Sequence, residues 1–134
     1  MTTVLAVDLG SASGRVLAGT LTDGRLEVTD IHRFKHEARR REDGTLTWDV
    51  ATMEAETING LMKALEQFPD ARAVSIDTWG VDWAPLDEDG RLVGDVIAYR
   101  DERTSRTLDA FRERIADREF FDLTGNQPAT INTA

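Results

Sequence analysis

The 134-residue chain has no cysteine, which rules out a disulfide framework and any thiolate metal site. It is also short of positive charge: 16 Lys and Arg face 25 Asp and Glu, for a net charge of −9. Polyanion binding rests chiefly on Lys and Arg neutralising phosphates, so this balance argues against a large nucleic-acid interface, though not against one nucleotide held locally with a cation. No window approaches the ~18 consecutive apolar residues of a membrane-spanning helix, and the N-terminus lacks a signal-peptide pattern, so a cytoplasmic protein is expected. Neither a Gly-Lys-Ser/Thr P-loop nor a Rossmann GxGxxG occurs. No internal repeat or low-complexity segment is visible. With 40% hydrophobic and 31% charged residues, the composition is that of an ordinary globular domain, and the length is that of one.

The chain is organised around Val4 to Arg15, VLAVDLGSASGR. Val4, Leu5, Ala6, Val7 and Leu9 form an apolar run interrupted only by Asp8, a pattern that suits a strand buried on both faces. Asp8 falls where that strand emerges, and a lone carboxylate there can hold a hydrated divalent cation through its water shell. Gly10 and Gly14 permit positive φ and close approach of a ligand to the backbone. Between them Ser11 and Ser13 offer hydroxyls, successive N–H groups can form an anion nest, and Arg15 supplies a charged donor fork for phosphate oxygens. An ordinary hairpin with a solvated arginine is the competing reading of the same residues.

Val16 to Leu21 reads as a second strand, Asp23-Gly24 as a tight turn, and Leu26 to Phe34 as a third strand with imperfect alternation. Together they make an antiparallel meander. Lys35 to Asp43, with Arg39, Arg40 and Arg41, reads as a solvated loop. Asp49 is a plausible N-cap for an amphipathic helix carrying Met53, Ile58, Leu61, Met62, Leu65 and Phe68, stopping before Pro69, with its methionines filling the core. Ala73 to Asp77 repeats the pattern of an apolar strand ending in an acid.

Thr78-Trp79-Gly80-Val81-Asp82-Trp83 follows at a strand end, where ligands sit in open α/β sheets. Tryptophan offers a sugar an apolar face and carboxylates accept its hydroxyl hydrogens, although without further context core tryptophans around a bulge glycine are the favoured reading of the stretch. Trp83–Leu86 and Leu92–Tyr99 flank Asp87-Glu88-Asp89-Gly90 as a hairpin. Arg100 and Arg103 are expected to pair with Asp101 and Asp82, or to serve a substrate. A second helix is expected from about Thr104 to Ala116, and a further turn through Phe120, Phe121 and Leu123 ends at Gly125.

An Asp-x-Gly turn after strand one, a meander, a helix and another strand ending in Asp resemble the first half of an α/β, ribonuclease-H-like (actin-like ATPase) domain. More narrowly, AVDLGSASGR, TWDV, SIDTWGVDWAPLDEDGRLVG and AYRDERT resemble the N-terminal domain of the FGGY carbohydrate kinases from about Val4 to Asn132, with IDTWGVD and YRDERT as the most specific part. The resemblance implies ATP-dependent phosphorylation of a ketose hydroxyl, O1 of L-rhamnulose, with Mg2+ bound alongside ATP. By position, Ser11, Ala12, Ser13, Gly14 and Arg15 would line the ATP phosphates and Asp8 would lie near the metal. Gly80 would touch the sugar through its backbone, with Asp77, Trp79 and Tyr99 around the pocket. The family's loop usually reads Gly-Ala-Ser-Ser-Gly-Arg; here Ser11 and Ala12 are exchanged.

Family kinases pair two such domains, with the general base beyond the span matched here. The expectation is therefore the N-terminal part of domain I over residues 1–134, without its second lobe or base and with negligible kinase turnover alone. A different family sugar kinase (L-fuculose, D-xylulose or glycerol) would differ at IDTWGVD and YRDERT. A two-metal nuclease using Asp8 and Asp77 would need a basic groove, which the charge opposes. A non-catalytic module of the same fold would bind neither ATP nor sugar.

Overall fold

The computed structural model describes residues 1–132 and forms two compact units, one of Met1–Glu37 with Asp49–Gly80 and one of Ala38–Trp48 with the chain from Val81 onward. In the first unit β1 (Thr2–Leu9), β2 (Ser13–Thr22), β3 (Arg25–Lys35) and β6 (Val74–Thr78) make a sheet in the order β3-β2-β1-β6. The meander is antiparallel and β6 joins β1 in parallel. Its second hairpin, β2 to β3, turns at Asp23 (φ 49°) and Gly24 (φ 79°), the two left-handed residues that a two-residue turn with the strands' own twist requires.

The imperfect alternation of the third strand has a structural cause. Val16 opposes His32 but Leu17 opposes Asp30, so Ile31 is an extra residue in β3. The bulge shifts the side-chain phase by one, and both Ile31 and Phe34 turn toward the covered face.

Helix α1 (Val50–Gln67) covers that face. Asp49 caps it as expected, accepting the Thr52 N–H at 3.0 Å. Leu5, Val7, Val16, Ala18 and Ala64 form the buried centre, with Leu9, Ile31, Leu61 and Phe68 packed around it. Gly60 marks the closest approach: a Cβ there would sit 2.5 Å from Val16 Cγ2. His32 ties the same helix to β3, its Nε2 lying 2.7 Å from Glu56 Oε2 and its Nδ1 3.3 Å from Lys63 Nζ.

Three expectations are corrected in this unit. The first strand is buried on one face rather than two: Leu5 and Val7 turn inward while Val4 is 41% exposed. Met53 fills the core, but Met62 is 60% exposed on the outer side of α1 with Ile58 and Leu65. On β6, Val74 and Ile76 are also exposed, because α1 packs chiefly over β2 and β3, with less on β1.

The second unit contains a small antiparallel sheet, β4 (Arg39–Arg40), β5 (Leu46–Trp48) and β7 (Val96–Ile97), in the order β4-β5-β7, followed by α2 (Arg103–Arg112) and α3 (Asp117–Thr124). Within the segment expected as a solvated loop, Arg39 and Arg40 form a two-residue strand and stay exposed, Arg40 Nη1 donating to the Gly44 carbonyl at 2.7 Å, while Arg41 beyond the strand is ion-paired to Asp95. The expected hairpin around Asp87 shrinks to a single bridge between Leu86 and Leu92, since Val96 and Ile97 pair with β5 instead. Asp87 holds its turn by accepting the N–H groups of Asp89 and Arg91. Gly125, at φ 73°, ends α3 as expected. The polar tail continues through Asn132; its last two residues lie outside the described chain.

Candidate functional site

The parallel register sets Asp77 beside Asp8, and the antiparallel register sets Arg15 on the other side of Asp8. Arg15, Asp8 and Asp77 therefore stand in one row across β2, β1 and β6. Leu5 and Val7 face α1, so strand alternation turns Asp8 to the opposite side. Asp8 and Arg15 are ion-paired, each side chain 41% exposed and open to solvent or ligand.

Between β1 and β2 the turn is tight. The Gly10 N–H donates to the Ser13 carbonyl at 2.9 Å, and the His36 N–H donates to the Ala12 carbonyl at 3.3 Å. Among the described residues, the Ser11 and Ala12 N–H groups have no protein acceptor. Ala12 and Ser13 are exposed and Ser11 is half-buried. Adjacent uncommitted N–H groups beside a guanidinium suit an anion such as a phosphate.

The positive φ expected of the two glycines of this turn does not occur, and one of them has a packing role instead. Neither Gly10 nor Gly14 has positive φ. Gly14 is needed because a Cβ there would fall 2.2 Å from the Phe34 ring, which is itself buried between His32 and His36. Gly14 thus lets the loop lie down on β3.

The second candidate stretch begins at the end of β6. Asp77 is exposed, its Oδ1 accepting the Thr78 N–H at 3.0 Å. Trp79 stacks on the buried His36 ring with centroids 5.5 Å apart. Gly80 is exposed, and a Cβ there would meet nothing within 4 Å. That open space leaves its backbone approachable. Val81 follows at φ 70°, a left-handed conformation that a β-branched residue adopts only under strain of about 1–3 kcal/mol.

Tyr99 lies in the second unit. Arg100 holds it twice, its Nε donating to the phenolic oxygen at 2.8 Å and its guanidinium carbon lying 5.1 Å from the ring centroid. The expected pairing of Arg100 and Arg103 with Asp82 and Asp101 does not form. Asp82 Oδ2 instead accepts the Trp48 indole N–H at 2.8 Å. Asp101, buried, accepts the Leu46 and Arg103 backbone N–H groups at 2.8 and 2.9 Å. The Leu46 N–H, foremost, holds its carboxyl below the ordinary aspartate range. Backbone donors outcompete side-chain arginines here because they need no side-chain ordering. Residues more than fifty positions apart meet in that contact, and sequence spacing carries no signal for it.

The residues fit the groups the sequence implies. Among the described residues no cluster of three or more His, Asp or Glu could cage a metal. Mg2+ needs no such cage: it keeps several waters and takes one or two carboxylates together with substrate phosphates, and Asp8 and Asp77 beside a turn with two uncommitted N–H groups fit that donor set.

Known proteins share this fold. The Plasmodium falciparum glycerol kinase structure with ADP superposes with a TM-score of 0.76 at 17% identity, covering 100% of this chain and 27% of that one. A xylulose kinase from Lactobacillus acidophilus gives 0.72 at 12% identity, over 91% and 24% of the two chains. At these identities the likeness is one of fold, and it shows an α/β domain of the ribonuclease-H-like, or actin-like ATPase, fold. The sequence is more specific: the N-terminal domain model of the FGGY family of carbohydrate kinases matches residues 3–134, and the chain belongs to that family. Among its curated relatives, the rhamnulokinase of Klebsiella pneumoniae (strain 342) is 40% identical over 131 residues, 96% of this chain and 27% of the relative. That of Bacillus subtilis (strain 168) is 36% identical over 128 residues, 96% and 26% respectively. The chain therefore spans only 26–27% of the length of these relatives.

Proposed function

We propose that the protein carrying this segment is an ATP-dependent sugar kinase that phosphorylates O1 of L-rhamnulose, acting in the cytoplasm where ATP is supplied. The observation that carries the reading is the β1–β2 turn: two uncommitted backbone N–H groups, at Ser11 and Ala12, lie beside the Arg15–Asp8 pair. Ser11, Ala12, Ser13, Gly14 and Arg15 form the phosphate cradle in this reading, and Asp8 holds the hydration shell of Mg2+. When bound, Mg2+ would neutralise phosphate charge as it develops.

Gly80 meets the sugar through its backbone, with Asp77, Trp79 and Tyr99 around it. The sugar's O1 gives its proton to a general base and bonds to the γ-phosphorus, while the bond from that phosphorus to the β,γ-bridging oxygen breaks and releases ADP. Catalysis of such a step is largely positioning and charge stabilisation from both sides of the transferred group. One side is supplied here, as the N-terminal part of domain I. The base and the opposite lobe belong to polypeptide outside these 134 residues, a reading supported by the relatives' greater length.

The test is coupled ADP release from the full-length protein offered L-rhamnulose, L-fuculose, D-xylulose and glycerol. Preference for L-rhamnulose, with no turnover by the 134-residue segment alone, is the expected result. Preference for another sugar would overturn the substrate assignment and leave the kinase; absence of sugar-dependent ADP formation would overturn both.

A further inference from the structure

The second unit contains a cavity of about 290 Å³ whose walls include Trp83, Tyr99, Arg103, Thr104, Thr107 and Asn132. Its size sits at the low end of small-molecule sites, which run from about 300 Å³ upward, so it suits a single small molecule. Two aromatic faces can cover C–H surface, and two hydroxyls, an amide and a guanidinium can bond to oxygen. That mixture is the chemistry of a monosaccharide.

Arg103 is the informative member. Two arginines are half-buried among the described residues, Arg15 and Arg103. Arg15 is paired with Asp8, whereas the Arg103 guanidinium has no hydrogen-bond or ion-pair acceptor among the described residues. Its only hydrogen bond to Asp101 is made by its backbone N–H, which fixes the start of α2; its charge also stabilises the Asp101 carboxylate, but its guanidinium donors at the cavity wall make no hydrogen bond among the described residues. The neighbouring Arg100 is already engaged with Tyr99. A half-buried guanidinium has lost part of its hydration and has five donors to satisfy, which an oxygen-rich ligand in the cavity would do.

We propose that Arg103 contacts the ketose and helps determine which sugar is accepted, its planar fork donating to two neighbouring sugar oxygens away from the reacting O1. The proposal rests on the kinase reading above and deepens it. Because the fork acts on the bound sugar before and during transfer alike, its loss weakens ketose binding more than turnover.

Full-length Arg103→Gln and Arg103→Lys are compared with wild type in the ADP-release assay and by thermal unfolding. The KM for L-rhamnulose is expected to rise at least tenfold in Arg103→Gln and by less in Arg103→Lys, which keeps charge but loses the fork. KM for ATP and kcat are expected to stay within about threefold of wild type. An unchanged ketose KM, or equal rises in both KM values with lowered thermal stability, would overturn the proposal in favour of a structural arginine. If Arg103→Gln fails to fold, Arg103→Lys carries the same comparison. Should wild type show no sugar-dependent turnover, L-rhamnulose titration followed by tryptophan fluorescence, with Trp83→Phe identifying the cavity's signal, still decides the point. Binding by wild type that weakens at least tenfold in Arg103→Gln supports the contact; equal binding, or none, refutes it.

Discussion

Replacing Gly60 with alanine sets two physical effects against each other. In the interior of an 18-residue helix, alanine is favoured over glycine by about 1 kcal/mol on propensity alone. The new methyl would lie 2.5 Å from Val16 Cγ2, 3.0 Å from His32 Cδ2 and 3.1 Å from His32 Cβ. Carbon pairs prefer about 3.5–4.0 Å, so the nearest contact is short by roughly 1 Å. Val16 is fully buried on a strand paired on both sides, and His32 is held by Glu56 and Lys63, so neither can give way. The helix must lift instead, loosening Met53 and Ala64. Overpacking of this kind costs about 1–3 kcal/mol, and because a whole element has to move we place it at the upper end.

Net of the propensity gain, Gly60→Ala is expected to destabilise by about 1–2 kcal/mol. Urea unfolding followed by far-UV circular dichroism reads this as a lower midpoint at unchanged slope. Val16→Ala opens the space, so the double variant should show favourable coupling of roughly 1 kcal/mol. A Gly60→Ala midpoint equal to or above wild type would refute the close-approach argument.

Three other substitutions separate structure from function. Asp49→Ala removes the acceptor for the Thr52 N–H and is expected to lower stability by about 1 kcal/mol, read from the same urea transition. Gly80→Ala meets no atom within 4 Å and should leave the unfolding midpoint unchanged while raising the KM for the sugar in the full-length enzyme; a lowered midpoint would contradict the open space. Asp101→Asn can accept only one of the two backbone N–H groups, so about 1–3 kcal/mol is lost at neutral pH. The Asp101 carboxyl is held below its ordinary value, so the unfolded chain binds its proton more readily than the folded one. Its contribution is complete above the ordinary aspartate value and fades as pH falls through and below it, from about pH 5 downward. Melting temperature against pH should consequently fall less steeply on the acid side in Asp101→Asn than in wild type.

Much of the first unit was legible because its signals are local. The Asp23-Gly24 turn, the Asp49 cap and the spacing from Met53 to Phe68 each depend on residues within a few positions of one another. What misled were features set by distant neighbours. Nothing in the sequence announces that Ile31 is a bulge, since the extra residue is defined only by what β2 places opposite it. Arg39 and Arg40 are solvated as read, but that β5 would pair with them as a strand has no local signal. Met62, Ile58 and Leu65 have core-like spacing, yet the sheet beneath α1 reaches only one side of the helix. At the site, the acid and the arginine were recognisable from their order after an apolar strand. Arg103 was legible as a charge but not as an uncommitted one, because that depends on Asp82 and Asp101 being taken by Trp48 and by backbone donors.

The parallel pairing of β1 with β6 also shapes how the chain acquires its chemistry. The meander closes through short turns and can assemble as soon as those residues are available, whereas β6 must return across α1 and pay a larger loop-closure entropy. Loop-closure entropy therefore favours bringing Asp8 and Arg15 together before Asp77 joins them. Before that, the arginine already balances the first acid. Only the last strand of this unit adds the second negative charge, so the row Arg15–Asp8–Asp77 becomes net negative with the parallel pairing rather than with the meander.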